Sequence, residues 1–279
     1  MQTYRDFIRD QDRAPAIVAH RGAWHAAPEN SLAAIEQAIA AGYEIIEIDI
    51  QQSQDGVLFV HHDETLDRMA GKPAIAHTLP MTDLAATRLK DRNGRDGAPL
   101  TDQVIQTLET VLTATRGRAY FDLDVKYPRD LAATAELVAK LDMSDMVNVK
   151  TVVQTQAAAD DLRALEATHG VMVKPMTRFS DGDADFLFGL LEDLSPAMVE
   201  IEFDRLETLA DRREAFRRAG IAIWVNTLDS VACGTLTDTA ALSDPGAVWG
   251  TLIDAGVSIF QTDEPEALSA YLAARRAAA

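Results

Sequence analysis

Eight short apolar runs, most of them separated by a segment of helix length, restrict the fold of this chain more than any other feature. They cover residues 16–20, 45–50, 119–125, 147–153, 171–176, 198–203, 221–225 and 257–261. Between them lie segments such as 31–41, ended by Gly42, and 131–141, with Leu131, Leu137, Val138 and Leu141 on one side. Parallel strands need a crossover connection, so strand and helix alternating along a whole chain predicts a parallel sheet with helices outside it. Eight strands within 279 residues predict one (β/α)8 TIM barrel, a single domain over 1–279.

The alternation breaks after the second run. From residue 51 to 104 there is one short strand at 57–61, then Gly71, Pro73, Pro80, Gly94, Gly97 and Pro99, with no long amphipathic helix. This reads as a small insertion after the second strand. Such segments decorate the catalytic face of a barrel, where side chains at the carboxyl ends of the strands make the site.

Charge narrows the function. Apolar residues make up 47% of the chain, which suits a globular core, and the formal charge of −18 argues against nucleic acid as a partner. An anionic substrate would then need a local positive centre. Cys233 is the single cysteine, so no intrachain disulfide forms. Residues 1–13 lack the apolar run of a signal peptide, and no stretch approaches the roughly 20 apolar residues that span a bilayer. The expectation is a cytoplasmic protein with no membrane insertion, its oligomeric state left open.

Chemistry concentrates at the strand ends. His20, Arg21 and Gly22 close the first run, pairing a proton-transfer group with a cation suited to phosphate. In residues 45–50, Glu47 and Asp49 alternate with isoleucines, so both carboxylates point the same way. Paired interior carboxylates repel unless neutralised, and a hard divalent cation takes such oxygen ligands. Asp122, Asp124 and Lys126 repeat the pattern, with Lys126 as a neutraliser that needs no metal. Alternation over His61, His62 and Asp63 lets only one histidine reach the site easily. Asn30 precedes a helix and is placed to cap it. His25, Lys174, Glu202, Trp224 and Gln261 lie at strand ends or in the first loop, as pocket walls or packing.

In order and spacing, His20-Arg21-Gly22, Pro28-Glu29-Asn30-Ser31, Glu47-Ile48-Asp49, Asp55-Gly56, His62-Asp63, Asp124-Val125-Lys126, Trp224-Val225-Asn226 and Thr262-Asp263 resemble the glycerophosphodiester phosphodiesterase family. The resemblance spans about 16–268 and implies the barrel, the inserted segment and a divalent metal ion: Mg2+ or Ca2+, with Mn2+ as a further option. It implies hydrolysis of small-molecule glycerophosphodiesters, made by deacylating phospholipids, to glycerol 3-phosphate and an alcohol. Lipid and glycerol metabolism is the corresponding setting. Carried over by position, Glu47, Asp49 and Asp124 would hold the metal, and His20 and His62 would be the acid and base. Arg21 and Lys126 would contact phosphate, while Glu29 and Trp224 would face substrate. The nucleophile would be the neighbouring glycerol hydroxyl or water. Two positions depart from the pattern: Asp124 stands where the family usually has Glu, and Gln54 where it commonly has Lys. The competing readings are a phosphoinositide-type phospholipase C or phosphodiester lyase, a non-catalytic metabolite-binding barrel, and a metal-dependent sugar isomerase.

Overall fold

A computed structural model describes residues 1–95 and 97–278; Asp96, inside the 51–104 segment, and Ala279 lie outside the described residues. The strands are β1 (Ala16–His20), β2 (Ile45–Gln52), β3 (Leu58–Val60), β4 (Arg88–Lys90), β5 (Leu100–Val104), β6 (Tyr120–Val125), β7 (Val147–Val152), β8 (Met172–Phe179), β9 (Met198–Phe203), β10 (Ala222–Asn226) and β11 (Val257–Thr262). Eight of them, β1, β2 and β6 to β11, make the (β/α)8 barrel, in the order β1-β11-β10-β9-β8-β7-β6-β2 with β1 also paired to β2. Each of the eight expected runs is a strand, with ends moved by at most a few residues.

The chain divides into two compact units, one formed mainly by residues 19–149 and the other by 2–18 with 150–279. In the first, β2 and β6 are parallel, with Glu47 opposite Asp122 and Asp49 opposite Asp124. That register brings the two acidic strands side by side, and a slip of one residue would turn every side chain to the other face. Ile45, Ile46, Ile48 and Ile50 are fully buried and anchor it. The helix Leu32–Ala41 is capped by Ser31, whose hydroxyl accepts from the Ala34 amide, and ends at Gly42 in the left-handed conformation. Asn30 is therefore not the cap. It sits one residue earlier at φ 59°, and its side chain is free for other work.

Within 51–104, β3 runs antiparallel to β2, and β4 and β5 form a hairpin. Phe59, Leu66, Met69, Ala76, Leu84, Leu89 and Ile105 build a small apolar core of its own. This core supports the turn that carries His62 and Asp63 and the short helix Asp67–Ala70 that carries Arg68. In the second unit, β8, β9, β10 and β11 pair in parallel, each with the next. No helix among the described residues is long and apolar enough to cross a membrane.

Candidate active site

The first unit gathers most of the charged residues singled out in the sequence. One carboxylate oxygen from each of Glu47, Asp49 and Asp124 lies within 4.8 Å of the others. Glu47 and Asp49 are each 1% exposed, which is where uncompensated carboxylates cost most. Around them stand Lys126, with Nζ 2.5 Å from Asp49 and 2.7 Å from Asp124, and Arg21, with Nε 3.3 Å from Asp49. Burial opposes the charge of Asp49, yet Lys126, Arg21, His62 and His20 outweigh it and hold the carboxyl well below the usual range. Burial likewise works against the cations. Asp49, Glu29 and Glu47 nonetheless raise Arg21, and Asp49, Asp124 and Glu47 raise Lys126.

Arg21 owes its place to the backbone. It follows β1 at φ 56°, next to Gly22 at φ 80°. A Cβ on Gly22 would stand 2.8 Å from the Ala34 carbonyl carbon, so only glycine lets the loop lie against that helix. The Arg21 amide then donates to Glu47 Oε2 (3.1 Å), and its Nη1 donates to Glu29 Oε1 (2.9 Å). His20 Nε2 lies 4.0 Å from Glu47 Oε2. Asn30 grips Asp49 twice: its Nδ2 donates to Asp49 Oδ2 (2.6 Å), and its Oδ1 accepts from the Asp49 amide (3.1 Å).

The two neighbouring histidines differ as alternation requires. His61 is buried, with Nε2 3.2 Å from the Thr65 carbonyl, and burial lowers its pKa. The His62 side chain is 35% exposed, with Nδ1 2.7 Å from Asp63 Oδ1. Asp122 departs from the acidic cluster and accepts from Asn148 Nδ2.

Sequence reasoning missed two residues here. Gln51, the next same-face residue of β2 after Glu47 and Asp49, donates from Nε2 to the carbonyls of His61 (2.9 Å) and Asp63 (2.8 Å). Arg68 donates to Glu29 Oε1 (2.6 Å) and to Asp63 Oδ2 (2.8 Å). Alternation along β2 was the signal for Gln51. For Arg68, inside a turn-rich segment, periodicity offered none.

The donor set suits a hard divalent cation, because it is all carboxylate oxygen. Asp49 Oδ1 is buried and accepts no aligned hydrogen bond, although Lys126 Nζ lies close to it, so it retains lone-pair capacity toward a metal. Glu47, Asp49 and Asp124 therefore fit such an ion.

A family model described as a domain of unknown function matches residues 173–272. Glycerophosphodiester phosphodiesterase 1 of Mus musculus is 36% identical over 133 residues, which is 46% of this chain. The crystal structure of a glycerophosphodiester phosphodiesterase from Agrobacterium tumefaciens superposes at a TM-score of 0.65 with 25% identity, over 92% of this chain and 99% of that one. The chain is similar to glycerophosphodiester phosphodiesterases in sequence and in fold. A phosphodiesterase of Oleispira antarctica, solved in complex with the product sn-glycerol-3-phosphate, shares the fold at a TM-score of 0.63 and 18% identity, over 93% of this chain and 97% of that one. The match spans 38% of the mouse protein's length, less than two thirds of it.

Other residues named from the sequence, apart from His25 in the first unit, lie in the second unit. Trp224 is fully buried, with Lys174 Nζ 3.3 Å from its ring centroid and its indole N–H donating to Asn226 (2.8 Å). Lys174 is fully buried and 2.7 Å from Glu200, while Glu202 is half-buried and paired with Arg178. Gln261 is buried, and His25 stacks on Trp24 at 4.1 Å. Burial opposes the Glu200 charge, but Lys174 and Lys150 outweigh it and bring its pKa from 4.5 to about 2. A depressed carboxyl contributes stability that is fully present above pH 4.5 and is lost as pH falls toward about 2. Glu200→Gln is expected to flatten the acid limb of a urea-melt stability profile in that window. At neutral pH it should cost about 3–5 kcal/mol, because Lys174 loses that carboxylate. Superimposable profiles for the two proteins would contradict the assignment.

Proposed function

We propose that the protein is a metal-dependent phosphodiesterase that hydrolyses glycerophosphodiesters to glycerol 3-phosphate and an alcohol, with two histidines as acid and base. One observation carries the reading: Glu47, Asp49 and Asp124 converge within 4.8 Å where Arg21, Lys126, His20 and His62 all act on Asp49. Acids for a cation, cations for phosphate and two proton carriers are the parts that phosphodiester cleavage requires.

In this reading Glu47, Asp49 and Asp124 hold a divalent ion, Mg2+ or Ca2+ by ligand type with Mn2+ also suited, which supplies Lewis-acid stabilisation of the phosphoryl oxygens. Arg21 and Lys126 bring positive charge to those oxygens, both held in place by Asp49. Glu29 and Asn30 aim these groups through the bonds described above. One of His20 and His62 takes the proton of the attacking hydroxyl, and the other returns one to the departing alkoxide. For Trp224 as a substrate contact, the support is the resemblance of Trp224-Val225-Asn226 alone. Residues 1–279 are read as one catalytic domain in which 51–104 is inserted, acting in the cytoplasm on a small-molecule diester.

The test is a screen of glycerophosphocholine, glycerophosphoethanolamine, glycerophosphoinositol and glycerophosphoglycerol, with and without chelator. Release of glycerol 3-phosphate from at least one of them, dependent on divalent ion, is expected. Turnover of none would reject the reading. The charge of −18 and the absence of a membrane-crossing helix among the described residues lead to a further expectation. Deacylated diesters should be preferred over acylated ones by at least about tenfold in kcat/KM, roughly 1.4 kcal/mol of transition-state binding. Glycerophosphocholine against lysophosphatidylcholine below its micelle concentration makes the comparison. Equal or better turnover of the lysolipid would point to a phospholipase D.

A further inference from the structure

Arg68 lies on the short helix Asp67–Ala70 within the inserted segment, and all three nitrogens of its guanidinium are engaged. Nε donates to Asp63 Oδ2 (2.8 Å), and Nη2 donates to both Asp63 Oδ1 (2.9 Å) and Glu29 Oε1 (2.6 Å). Nη1 donates to the Asn93 carbonyl (2.7 Å). Each carboxylate it grips also holds one other side chain. Asp63 Oδ1 lies 2.7 Å from His62 Nδ1, and Glu29 Oε1 accepts from Arg21 Nη1 (2.9 Å). The five side chains form one continuous line: His62, Asp63, Arg68, Glu29, Arg21.

The line is built into its surroundings. Gly94, at φ 69°, lies so close that a Cβ there would stand 2.6 Å from the Arg68 carbonyl oxygen. Met69 and Ala70 tie the helix to the apolar core of the segment. Gln51 pins the backbone on either side of His62, so only the imidazole torsions remain to be set. Glu29 is 3% exposed, and the side chains of Asp63 and Arg68 are 24% and 20% exposed.

We propose that Arg68 is a positioning residue that couples the two arms of the site, holding His62 through Asp63 and Arg21 through Glu29. The inference rests on the proton-transfer role given to His62 and the phosphate role given to Arg21. Asp63 stays ionised: burial opposes its charge, but bonds from His62 and Arg68 outweigh it and hold the carboxyl below the usual range. An ionised carboxylate only accepts, so Nδ1 of His62 must carry the proton. Nε2 is then left as the base when the ring is neutral and the donor when it is charged. Without Arg68, Asp63 has less reason to stay in one rotamer, and the ring can turn or change tautomer. Arginine suits the task because its planar fork meets two carboxylates at once, whereas an ammonium offers no fork.

The experiment joins kinetics to the imidazole nitrogen signals of 15N-histidine-labelled protein, with His62→Gln identifying the His62 peaks. Asp63→Asn is expected to lower kcat about 10–100-fold with KM little changed, the scale on which hydrogen-bond partners of a functional histidine act. Arg68→Gln should lower kcat similarly and also raise KM, since it loosens Arg21 as well. In Asp63→Asn/Arg68→Gln, kcat should be no lower than in the worse single variant, because both act through one ring. The His62 nitrogens should report the Nδ1–H form in the wild type and a mixture of tautomers in both single variants. Arg68→Lys, which keeps the charge without the fork, should remain impaired in kcat, and it replaces Arg68→Gln if that variant does not fold. Wild-type kcat with an unchanged His62 spectrum in the Arg68 variant would overturn the proposal, as would multiplicative losses in the double variant. If the wild type turns over no diester, the functional reading fails, and the His62 spectrum still decides the positioning claim.

Discussion

Dialysis against EDTA is expected to abolish turnover of glycerophosphodiesters while leaving the protein folded. Three carboxylates share a space of 4.8 Å, two of them almost fully buried, and burial at that separation calls for positive charge. Lys126 and Arg21 supply enough of it to hold the fold, since both contact Asp49 directly. They cannot replace the Lewis acid, because an ammonium or guanidinium donates hydrogen bonds but offers no empty coordination position. Added Mg2+, Mn2+ or Ca2+ should restore activity. A second readout avoids activity altogether: metal at about 100 times its Kd should stabilise the wild type by about 2.7 kcal/mol, seen as a rise in Tm. Glu47→Ala and Asp49→Ala should lose both the rescue and the rise. Full activity in a rigorously metal-free preparation would end the metal proposal.

His20→Ala and His62→Ala are each expected to lower kcat by roughly 10²-fold or more, the usual loss when a positioned proton-transfer group is removed. His61→Ala should behave differently. His61 is 2% exposed and bonded to the Thr65 carbonyl, so its loss leaves a cavity and an unmatched carbonyl rather than a gap in the chemistry. The expected outcome is about 1–3 kcal/mol of destabilisation with turnover per folded molecule nearly intact. Denaturant melts and active-site-normalised rates separate the two effects. Equal losses of activity in His61 and His62 variants would show that the division of labour between them is wrong.

Much of the geometry of the candidate site was legible because extended backbone carries a two-residue alternation. Glu47 with Asp49, Asp124 with Lys126, and the choice between His61 and His62 all follow from that period. What escaped was whatever depends on the course of a loop. Asn30 looked like a helix cap because asparagine before a helix usually is one, yet Ser31 caps and Asn30 holds Asp49. Asp122 shares its face with Asp124 by alternation but pairs with Asn148 instead. Arg68 carries no signal in the sequence, since an arginine on a short helix in a turn-rich segment is normally solvated.

The sequence by itself determined the eight-strand alternation, the face on which each acid lies, and the place where regular structure stops. These are local properties, set by hydrophobic period, glycine and capping chemistry within a few residues. The tertiary structure alone decided which carboxylate stands beside which. The parallel register of β2 and β6 sets Asp49 opposite Asp124, a pairing that neither segment specifies alone. It alone decided that Arg68 reaches both Glu29 and Asp63, because those contacts depend on how residues 51–104 pack around Phe59, Met69 and Leu84. Hydrophobic burial fixes such packing without direction, whereas hydrogen bonds and ion pairs act only over a few ångströms. Residues far apart in the chain therefore find their partners only in the packed structure.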